Sequence, residues 1–376
     1  MIDCDLCIVG AGIAGASLAA RIAPWCRTIL IDQEAQPGHH ATGRSVAIFT
    51  HALSGAQVGP LTRASAAFFT AQDSVELPLR PGRPVLLFGD GTAEGELTAL
   101  HDQLRAGGGR ARLLRGGAVQ ELVPILRSEH AALALLDEDA FEIDVDAMLQ
   151  GWLRQARAAG ARLLTNARLS HAERIPGGWR LRAGETDIRA RVLVNAAGAW
   201  GDVVARIAGL SPLGLTPLRR TVSVLPAMGL DPEPWPMCVA AGHDLYFKPD
   251  AGRLLVSGME ESPSDPCDAM VDDLEVAMAL DRLETVTGLP PRRPLHSWAG
   301  LRTFAPDREP VAGFDPDDDA FFWLVGQGGT GMQTAPALGE AAVCLLRGVA
   351  LPEPLLVAGV SPRALGPTRF RAIDTR

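Results

Sequence analysis

The N-terminal part of the chain shows two apolar runs joined by a glycine-rich turn and a helix-like stretch. Residues 6–9 (LCIV) lead directly into residues 10–15 (GAGIAG). A second apolar run, residues 28–31 (TILI), ends in Asp32. A buried strand, a tight turn, a helix and a second strand that ends in an acid form the pattern of a dinucleotide-binding unit. We therefore expect a pair of parallel strands with a phosphate-binding turn at the start of the chain.

Each glycine of this turn has its own predicted role. Gly10 permits the tight turn, Gly12 lets the backbone approach a pyrophosphate, and Gly15 lets the helix pack against the strand. Ile13 and Ala14 begin the helix, whose free N–H groups and positive dipole end suit phosphate oxygens. The turn therefore predicts a binding site for the phosphates of a dinucleotide.

Several segments that follow predicted strands favour FAD over NAD as that dinucleotide. Asp32, with Gln33 beside it, is placed to accept hydrogen bonds from a ribose hydroxyl. Residues 42–45 (TGRS) follow soon after, and residues 194–200 (VNAAGAW) run from a strand into a glycine-containing turn. Residues 326–331 (GQGGTG) join a strand to a long helix, whose positive end would stabilise negative charge on a reduced flavin.

The rest of the chain alternates apolar strand-like runs with helix-like stretches, which is typical of the α/β class. Residues 144–159 have an amphipathic helical pattern, and residues 191–194 form a buried strand. Between residues 215 and 259 the pattern becomes rich in strands. A last apolar strand at residues 320–325 precedes a helix that we expect to end near residue 347.

Composition narrows the function classes further. The 376 residues are 47% hydrophobic, which suffices for a sizeable core divided between two domains. A net charge of −9 argues against nucleic-acid binding. Cys4 and Cys7 lie along a predicted strand, and no group of residues has metal-ligand spacing, so we expect no metal. Without a signal peptide or an apolar run of membrane-spanning length, we expect a cytoplasmic protein that meets a membrane-bound electron acceptor only peripherally.

Motifs spread over nearly the whole chain give it a family resemblance. The segments that carry it are GAGIAGAS from Gly10, EAQPGHHATGRS from Glu34, VLVNAAGAW from Val192, LGLTPLRR ending at Arg220, LYFKPDAG around Tyr246, SWAGLRTF around Arg302 and GQGGTGMQT from Gly326. With these segments the chain resembles the FAD-dependent D-amino-acid oxidase superfamily, and within it the bacterial D-arginine dehydrogenase group.

The resemblance implies a Rossmann-like FAD-binding domain of the glutathione-reductase type and a discontinuous substrate domain with a mixed β-sheet. The implied FAD domain comprises residues 1–50, 140–212 and 305–365. The substrate domain comprises residues 51–139 and 213–304, and residues 366–376 form a tail that we expect to be poorly ordered.

The resemblance also implies roles for individual residues. Arg302 would bind the substrate carboxylate through two hydrogen bonds, with Arg220 and Tyr246 as further partners. Backbone carbonyls at Gly329 and Thr330 would accept from the substrate amine. The residues expected to contact FAD are Gly10, Gly12, Ile13, Ala14, Gly15, Asp32, Gln33, Thr42, Gly43, Arg44, Ser45, Ala197, Gly198, Trp200, Arg302, Gly328, Gly329, Thr330, Gly331 and Met332.

Two departures from the D-arginine dehydrogenase pattern bear on the substrate. Ile48 and Leu53 occupy a stretch where such pockets carry polar and aromatic groups. Residues 80–84 (RPGRP) are basic where a guanidinium substrate would need an acid, and we expect Arg83 to border the pocket. Glu260 and Glu261 could line the pocket or be solvated. Both departures argue against an arginine or lysine substrate.

The sequence therefore predicts an FAD-dependent oxidoreductase that acts on an α-amino acid. We expect a D-amino acid with a neutral or acidic side chain, hydride transfer from Cα to flavin N5, and an imino acid that hydrolyses to a 2-oxo acid. A quinone or oxygen would then accept the electrons. Two alternatives stay open: a 2-hydroxy acid or N-alkyl amino acid as the substrate, and a non-catalytic FAD subunit of a larger complex.

Overall fold

The computed structural model describes residues 1–53, 55–70, 82–227 and 229–370. Its strands, in chain order, are β1 (Ile2–Val9), β2 (Thr28–Ile31), β3 (Ile48–Phe49), β4 (Val85–Gly89), β5 (Ala111–Arg115), β6 (Leu133–Asp137), β7 (Phe141–Glu142), β8 (Arg162–Leu164), β9 (Leu169–Ile175), β10 (Gly178–Ala183), β11 (Thr186–Asn195), β12 (Thr216–Leu225), β13 (Met237–Ala240), β14 (Tyr246–Asp250), β15 (Arg253–Ser257), β16 (Ser262–Pro263), β17 (His296–Phe304), β18 (Val311–Phe314) and β19 (Phe321–Val325). Its helices are α1 (Ile13–Ile22), α2 (Val58–Thr70), α3 (Glu94–Ala106), α4 (Gly117–Leu122), α5 (Val145–Ala158), α6 (Gly201–Ile207), α7 (Asp273–Thr287), α8 (Gly331–Arg347), α9 (Glu353–Val357) and α10 (Pro362–Leu365).

The first sheet has the strand order β18-β19-β11-β1-β2-β8, and β10 and β9 extend it beside β11. Five of its strands, from β19 to β8, run parallel. Val9 pairs with Ile31 on one side and with Asn195 on the other. The carboxyl ends of three neighbouring strands therefore lie level, and the residues that follow them meet at one edge of the sheet.

Helices cover one face of this sheet because their apolar stripes face it. Helix α5 begins where the Asp144 carboxylate accepts a hydrogen bond from the Ala147 amide at 3.0 Å. From there Met148, Trp152 and the other apolar positions turn inward and pack into one core with α1 and α8. The opposite face packs a second core that includes two fully buried tryptophans on β10 and β19. Parallel strands are normally covered on both faces in this way.

The second sheet has the order β16-β12-β15-β14-β13-β4-β6-β5, and β17 pairs with β12 along its whole length. Successive side chains of β12 alternate between the two faces. Arg219 points to α7, where its guanidinium lies 2.9 Å from Asp272 and 3.1 Å from Glu275. This arginine is therefore paired with two acids. Arg220 points to the opposite face, toward the first sheet.

The predicted α/β class is confirmed, with two corrections of detail. Helix α2 lies in the segment assigned to the substrate domain, but Leu61 and Phe69 join the core of the first sheet beside α8. Residues 367–370 form a 3₁₀-helix in the predicted tail, and Arg369 pairs with Asp307 at 2.6 Å. The rest of that tail, residues 371–376, lies outside the described residues. None of the described helices is long and apolar enough to cross a membrane.

A buried cluster of charges ties β7, which pairs with β3 in a separate two-stranded sheet, to the second sheet. One oxygen of Glu142, on β7, lies 2.9 Å from Arg83 and 2.5 Å from Lys248 on β14. Arg83 also pairs with Glu233 at 3.1 Å and donates to the Trp235 carbonyl at 2.8 Å. Our expectation that Arg83 borders a substrate pocket is therefore corrected. This side chain is committed to protein acceptors and is not among the residues that line the cavity described below.

We expect Glu142→Gln to lower the free energy of unfolding by about 3 kcal/mol, because it leaves two buried cations without their shared anion. Glu173→Gln is the matched control, since its partner Arg180 lies on an exposed strand pair. An exposed pair contributes less than about 1 kcal/mol. Urea denaturation of the FAD-saturated variants measures both changes, and equal midpoints for the two variants would contradict a structural role for the cluster.

Candidate active site

A long groove opens where the carboxyl ends of β1, β2 and β11 meet. Gly10 has a φ of +104°, and a Cβ at this position would overlap the Ala196 carbonyl of the neighbouring strand end. A Cβ on Gly15 would overlap the Gly10 carbonyl, so glycine is what allows α1 to lie against the turn. Both glycines therefore have the structural roles that the sequence predicts for them.

Asp32 holds this turn from the end of β2. Its carboxylate accepts hydrogen bonds from the amides of Ala11 at 2.7 Å and Glu34 at 2.9 Å. Burial raises the pKa of Asp32 above its usual range. The residue also lines the groove beside Gln33, where a ribose would lie. The acid thus joins the two strand ends in addition to its predicted contact with the cofactor.

The loop after β2 folds over the start of α1. The Thr42 hydroxyl accepts a hydrogen bond from the Ile13 amide at 3.0 Å, and Gly43 donates to the Gly38 carbonyl at 2.7 Å. We expected the Ile13 amide to be free for a phosphate, but in the structure this amide is bound to Thr42. The predicted cofactor residues that do line the groove are Gly10, Gly12, Ile13, Ala14, Asp32, Gln33, Thr42, Arg44, Ala197, Gly198, Trp200, Gly328, Gly331 and Met332.

Arg44 ties this loop to the second sheet. Its guanidinium donates to the carbonyls of Ala299 at 2.8 Å and Ala269 at 3.2 Å, and it forms an ion pair with Asp268. Trp298 in turn donates to the Arg44 carbonyl at 3.1 Å. Arg44 lines the groove as predicted, but its hydrogen bonds hold the two sheets together. Asp268 was not predicted, because it lies 224 residues away in sequence.

A second cavity, of about 850 Å³, lies between the groove and the second sheet. The residues that line both spaces are Ala41, Arg44, Gly300, Leu301, Gln327, Gly328, Gly331 and Met332. Groove and cavity are therefore continuous. A molecule bound along the groove can place one end in the cavity, opposite the face of β12.

The cavity brings together three of the predicted substrate residues. Leu218 on β12 pairs with Arg302 on β17, so Arg302 lies diagonally across from Arg220 on the same face of the sheet. Tyr246 on β14 lines the same cavity. The Arg302 guanidinium packs against Gly329, where a Cβ would lie only 2.8 Å from Nη1. Across the described ranges, this guanidinium has no hydrogen-bond partner in the protein.

The electrostatics of these three side chains suit an anion. Burial and the neighbouring Arg302 lower the pKa of Arg220 to about 10, so Arg220 remains charged at neutral pH. Burial raises the pKa of Tyr246, which keeps its phenol protonated and able to donate. Arg220 is 6% exposed, and its buried Nη1 has no partner in the described part of the chain. The two guanidinium groups and the phenol O–H all face the cavity, and together they form an arrangement that can bind a carboxylate.

The two backbone acceptors proposed for the amine differ in their availability. The Thr330 carbonyl already accepts from the Thr334 amide at 3.1 Å and from its hydroxyl at 2.9 Å. These two bonds occupy both lone pairs of that oxygen. Gly329 lines the cavity beside Arg302. The Gly329 carbonyl is therefore the better placed acceptor for a substrate amine.

Around Arg220, Tyr246 and Arg302, which we call the carboxylate clamp, most of the cavity wall is apolar. Ile48 and Leu53, which the sequence analysis singled out, both line it. The other apolar side chains of this wall are Ala52, Val58, Val85, Leu87, Val222, Met237, Val239 and Met259. Glu261 lines the cavity, whereas Glu260 turns away and accepts from the Thr221 amide.

Besides Thr50 and His243, sequence analysis missed four polar residues of the cavity. Gln333 accepts from the Thr50 amide at 3.3 Å, and Glu309 accepts three amides at the start of α2. Arg308 lines the mouth, and Gln327 lies at the junction with the groove. Both glutamines belong to the GQGGTGMQT segment, so their position after a strand was a usable signal. The other two residues lie in a loop without a motif.

One group of possible metal ligands lies in the described ranges, at the edge of the groove. Glu34, His39 and His40 offer ligand atoms within 4.8 Å of one another. His40 lies 2.9 Å from Glu34 and packs on Trp200, while His39 lies 3.5 Å from Asp268. These side chains have partners in the protein, and the expectation of a metal-free enzyme stays a prediction.

We expect Gly15→Ala to weaken FAD binding at least about tenfold, because the added methyl group pushes α1 away from the Gly10 turn. Gly95→Ala in α3 is the matched control, since nothing lies within 4 Å of its Cβ position. This control keeps its FAD and gains helix propensity. Flavin fluorescence in the filtrate of each purified variant measures the loss, and tight binding by Gly15→Ala would contradict the role of Gly15.

Comparisons with known proteins agree with this site. A family model described as DAO, FAD dependent oxidoreductase, matches residues 5–345. The hydrogen cyanide synthase subunit HcnC of Pseudomonas aeruginosa is 22% identical over 245 residues. That match covers 63% of this chain and 57% of the relative's own length.

Solved structures share the fold across nearly the whole chain. L-proline dehydrogenase from P. horikoshii has a TM-score of 0.84 at 18% identity and covers 98% of both chains. Glycine oxidase from Geobacillus kaustophilus has a TM-score of 0.81 at 19% identity, over 96% of this chain and 99% of its own. Because the family match spans most of the sequence, this protein belongs to the DAO family of FAD-dependent oxidoreductases, and FAD is its cofactor.

Proposed function

We propose that this enzyme oxidises an α-amino acid with an uncharged, apolar side chain. The observation that carries the proposal is the Arg302 guanidinium, which faces the cavity without a hydrogen-bond partner among the described residues and lies beside Arg220 and Tyr246. A guanidinium held in this way binds a carboxylate strongly, because the ligand supplies acceptors for N–H groups that have none among the described residues.

In this proposal the chain positions the substrate and the cofactor carries the redox chemistry. Arg302 and Arg220 bind the carboxylate, and the Tyr246 O–H donates to it. The Gly329 carbonyl accepts from the amine, which turns the Cα–H bond toward the junction of cavity and groove. FAD bound along the groove would supply the redox chemistry, as the acceptor of the hydride from Cα. The imino acid that results hydrolyses in water to a 2-oxo acid.

The residues at the junction fit a flavin ring system there. Gly328 has a φ of +54°, and a Cβ on it would overlap the Phe304 ring, so the backbone lies unusually close to β17. Helix α8 begins at Gly331 and points its positive end toward the same space. Gln327 contributes a buried Nε2 that has no partner within the described ranges. These donors suit the polar edge of a flavin.

The apolar wall argues for the class of side chain. Glu261 and Glu309, the acids of the described lining, are already bound to Arg308 and to the amides at the start of α2, so a cationic side chain would lie unpaired against Ile48, Leu53 and Met237. Arg83 pairs with Glu142 and Glu233, so the basis for an acidic side chain in the sequence analysis is gone. The resemblance to D-amino-acid oxidases supports the D enantiomer, and the named activities of the proline and glycine relatives support amino acid oxidation in general.

We expect Arg302→Ala to lower kcat/KM by at least about a hundredfold, through a rise in KM, because a buried charge-assisted contact contributes on the order of 2–5 kcal/mol. Arg219→Ala is the matched control, since this neighbouring arginine faces α7 instead of the cavity. Both variants should retain FAD. A change below about tenfold in Arg302→Ala would remove this residue from the substrate site.

We expect flavin absorbance to bleach fastest, under anaerobic conditions, with D-methionine or D-proline, more slowly with D-glutamate and least with D-arginine. The reason is that the uncharged wall around Ile48, Leu53 and Met237 matches an apolar side chain best. The L enantiomers and 2-hydroxy acids of the same side chains complete the panel. Fastest bleaching by D-arginine would contradict the side-chain assignment, and bleaching by 2-hydroxy acids alone would contradict amine oxidation.

A further inference from the structure

Two arginines share one carboxylate at the mouth of the cavity. An Oε1 atom of Glu261 lies 2.7 Å from Arg308 and 3.5 Å from Arg220. All three side chains line the cavity. The same carboxylate oxygen thus serves both a partly exposed arginine at the mouth and a buried arginine of the carboxylate clamp.

Arg220 is only weakly neutralised by this arrangement. Its Nε donates to the Glu260 carbonyl at 3.1 Å, and its Nη2 reaches Glu261 at the longer distance. Glu261 is closer to Arg308, which is fixed from the other side by the Phe304 ring at 3.9 Å. How much of the positive charge of Arg220 remains for a ligand therefore depends on whether the Glu261 carboxylate lies closer to Arg220 or to Arg308.

Glu261 is also the carboxylate that a second negative charge on a ligand would meet. Glu309, the other acid in the described lining, is held by the amides of Ala56, Gln57 and Val58. These amides begin α2, whose positive end offsets the charge of Glu309. Arg44, the remaining arginine, pairs with Asp268 outside the cavity. Glu261 thus has the freest negative charge next to the clamp.

We propose that Glu261 is a specificity-determining residue, which makes the cavity accept ligands with one carboxylate and reject ligands with two. This inference rests on the proposed carboxylate-binding function. One ligand carboxylate takes the open positions on Arg302 and Arg220 while Glu261 stays with Arg308. A second ligand carboxylate would have to approach Glu261 or displace it from Arg308, and both are unfavourable.

The test compares pentanoate with glutarate, two unreactive ligands of equal length that carry one and two carboxylates. Titration of the holoenzyme, followed by the flavin absorbance, gives a Kd for each. We expect wild type to prefer pentanoate. Glu261→Gln should bind glutarate about tenfold more tightly than wild type does, and pentanoate about threefold more tightly, because a repulsive charge is removed. Glu260→Gln, which removes a neighbouring acid outside the cavity, should change neither Kd.

Substitution of Arg308 should have the opposite effect on pentanoate binding. Arg308→Gln frees Glu261 to pair fully with Arg220 and should weaken pentanoate binding about threefold. Arg308→Lys keeps the charge and should bind as wild type does. An unchanged ratio of the two Kd values in Glu261→Gln would overturn the inference. Failure of wild type to bind pentanoate at all would instead overturn the proposed function, which separates the two outcomes.

Discussion

Arg220 and Arg302 bring two positive charges to one face of the second sheet, with too little negative charge beside them to neutralise both. The rest of the structure is organised around this constraint. Arg220 and Arg302 lie on neighbouring strands, and burial together with the positive charge of Arg302 lowers the pKa of Arg220. Like charges in a partly desolvated site are unfavourable until an anion binds between them. The fold therefore keeps an unfavourable arrangement ready for a ligand, as functional sites with perturbed pKa values often do.

The other buried charges among the described residues have ion-pair or hydrogen-bond partners. Arg219, the residue next to Arg220, has two acids on α7, and Lys248 shares Glu142 with Arg83. Successive side chains of β12 point to opposite faces of the sheet, so Arg219 and Arg220 lie in different surroundings although they are adjacent in sequence. One face of the strand carries a stabilising ion pair, and the other carries the open cation of the cavity. Strand periodicity thus determines which arginine pairs with acids of the fold and which one faces the cavity.

The sequence predicted those parts of the molecule that depend on local pattern. The strand, glycine turn and helix from β1 to α1 followed from spacing alone, as did α5, β19 and α8. The family resemblance brought FAD and the three clamp residues Arg220, Tyr246 and Arg302. Partners distant in sequence could not be predicted. Asp268 reaches Arg44 from another domain, and Glu142 removes Arg83 from the pocket, and neither pairing has a local signature.

The error at Arg83 has a physical consequence for specificity. A basic stretch in sequence says nothing about net charge in space, because each arginine can be neutralised by an acid from another strand. In the proposed function, the charge at the mouth depends on Glu261, whose carboxylate lies between Arg308 and Arg220, rather than on the number of arginines. Beyond the charged and polar groups, the cavity wall is apolar. Selection therefore acts on two separate features, the charge at the mouth and the shape of the apolar wall.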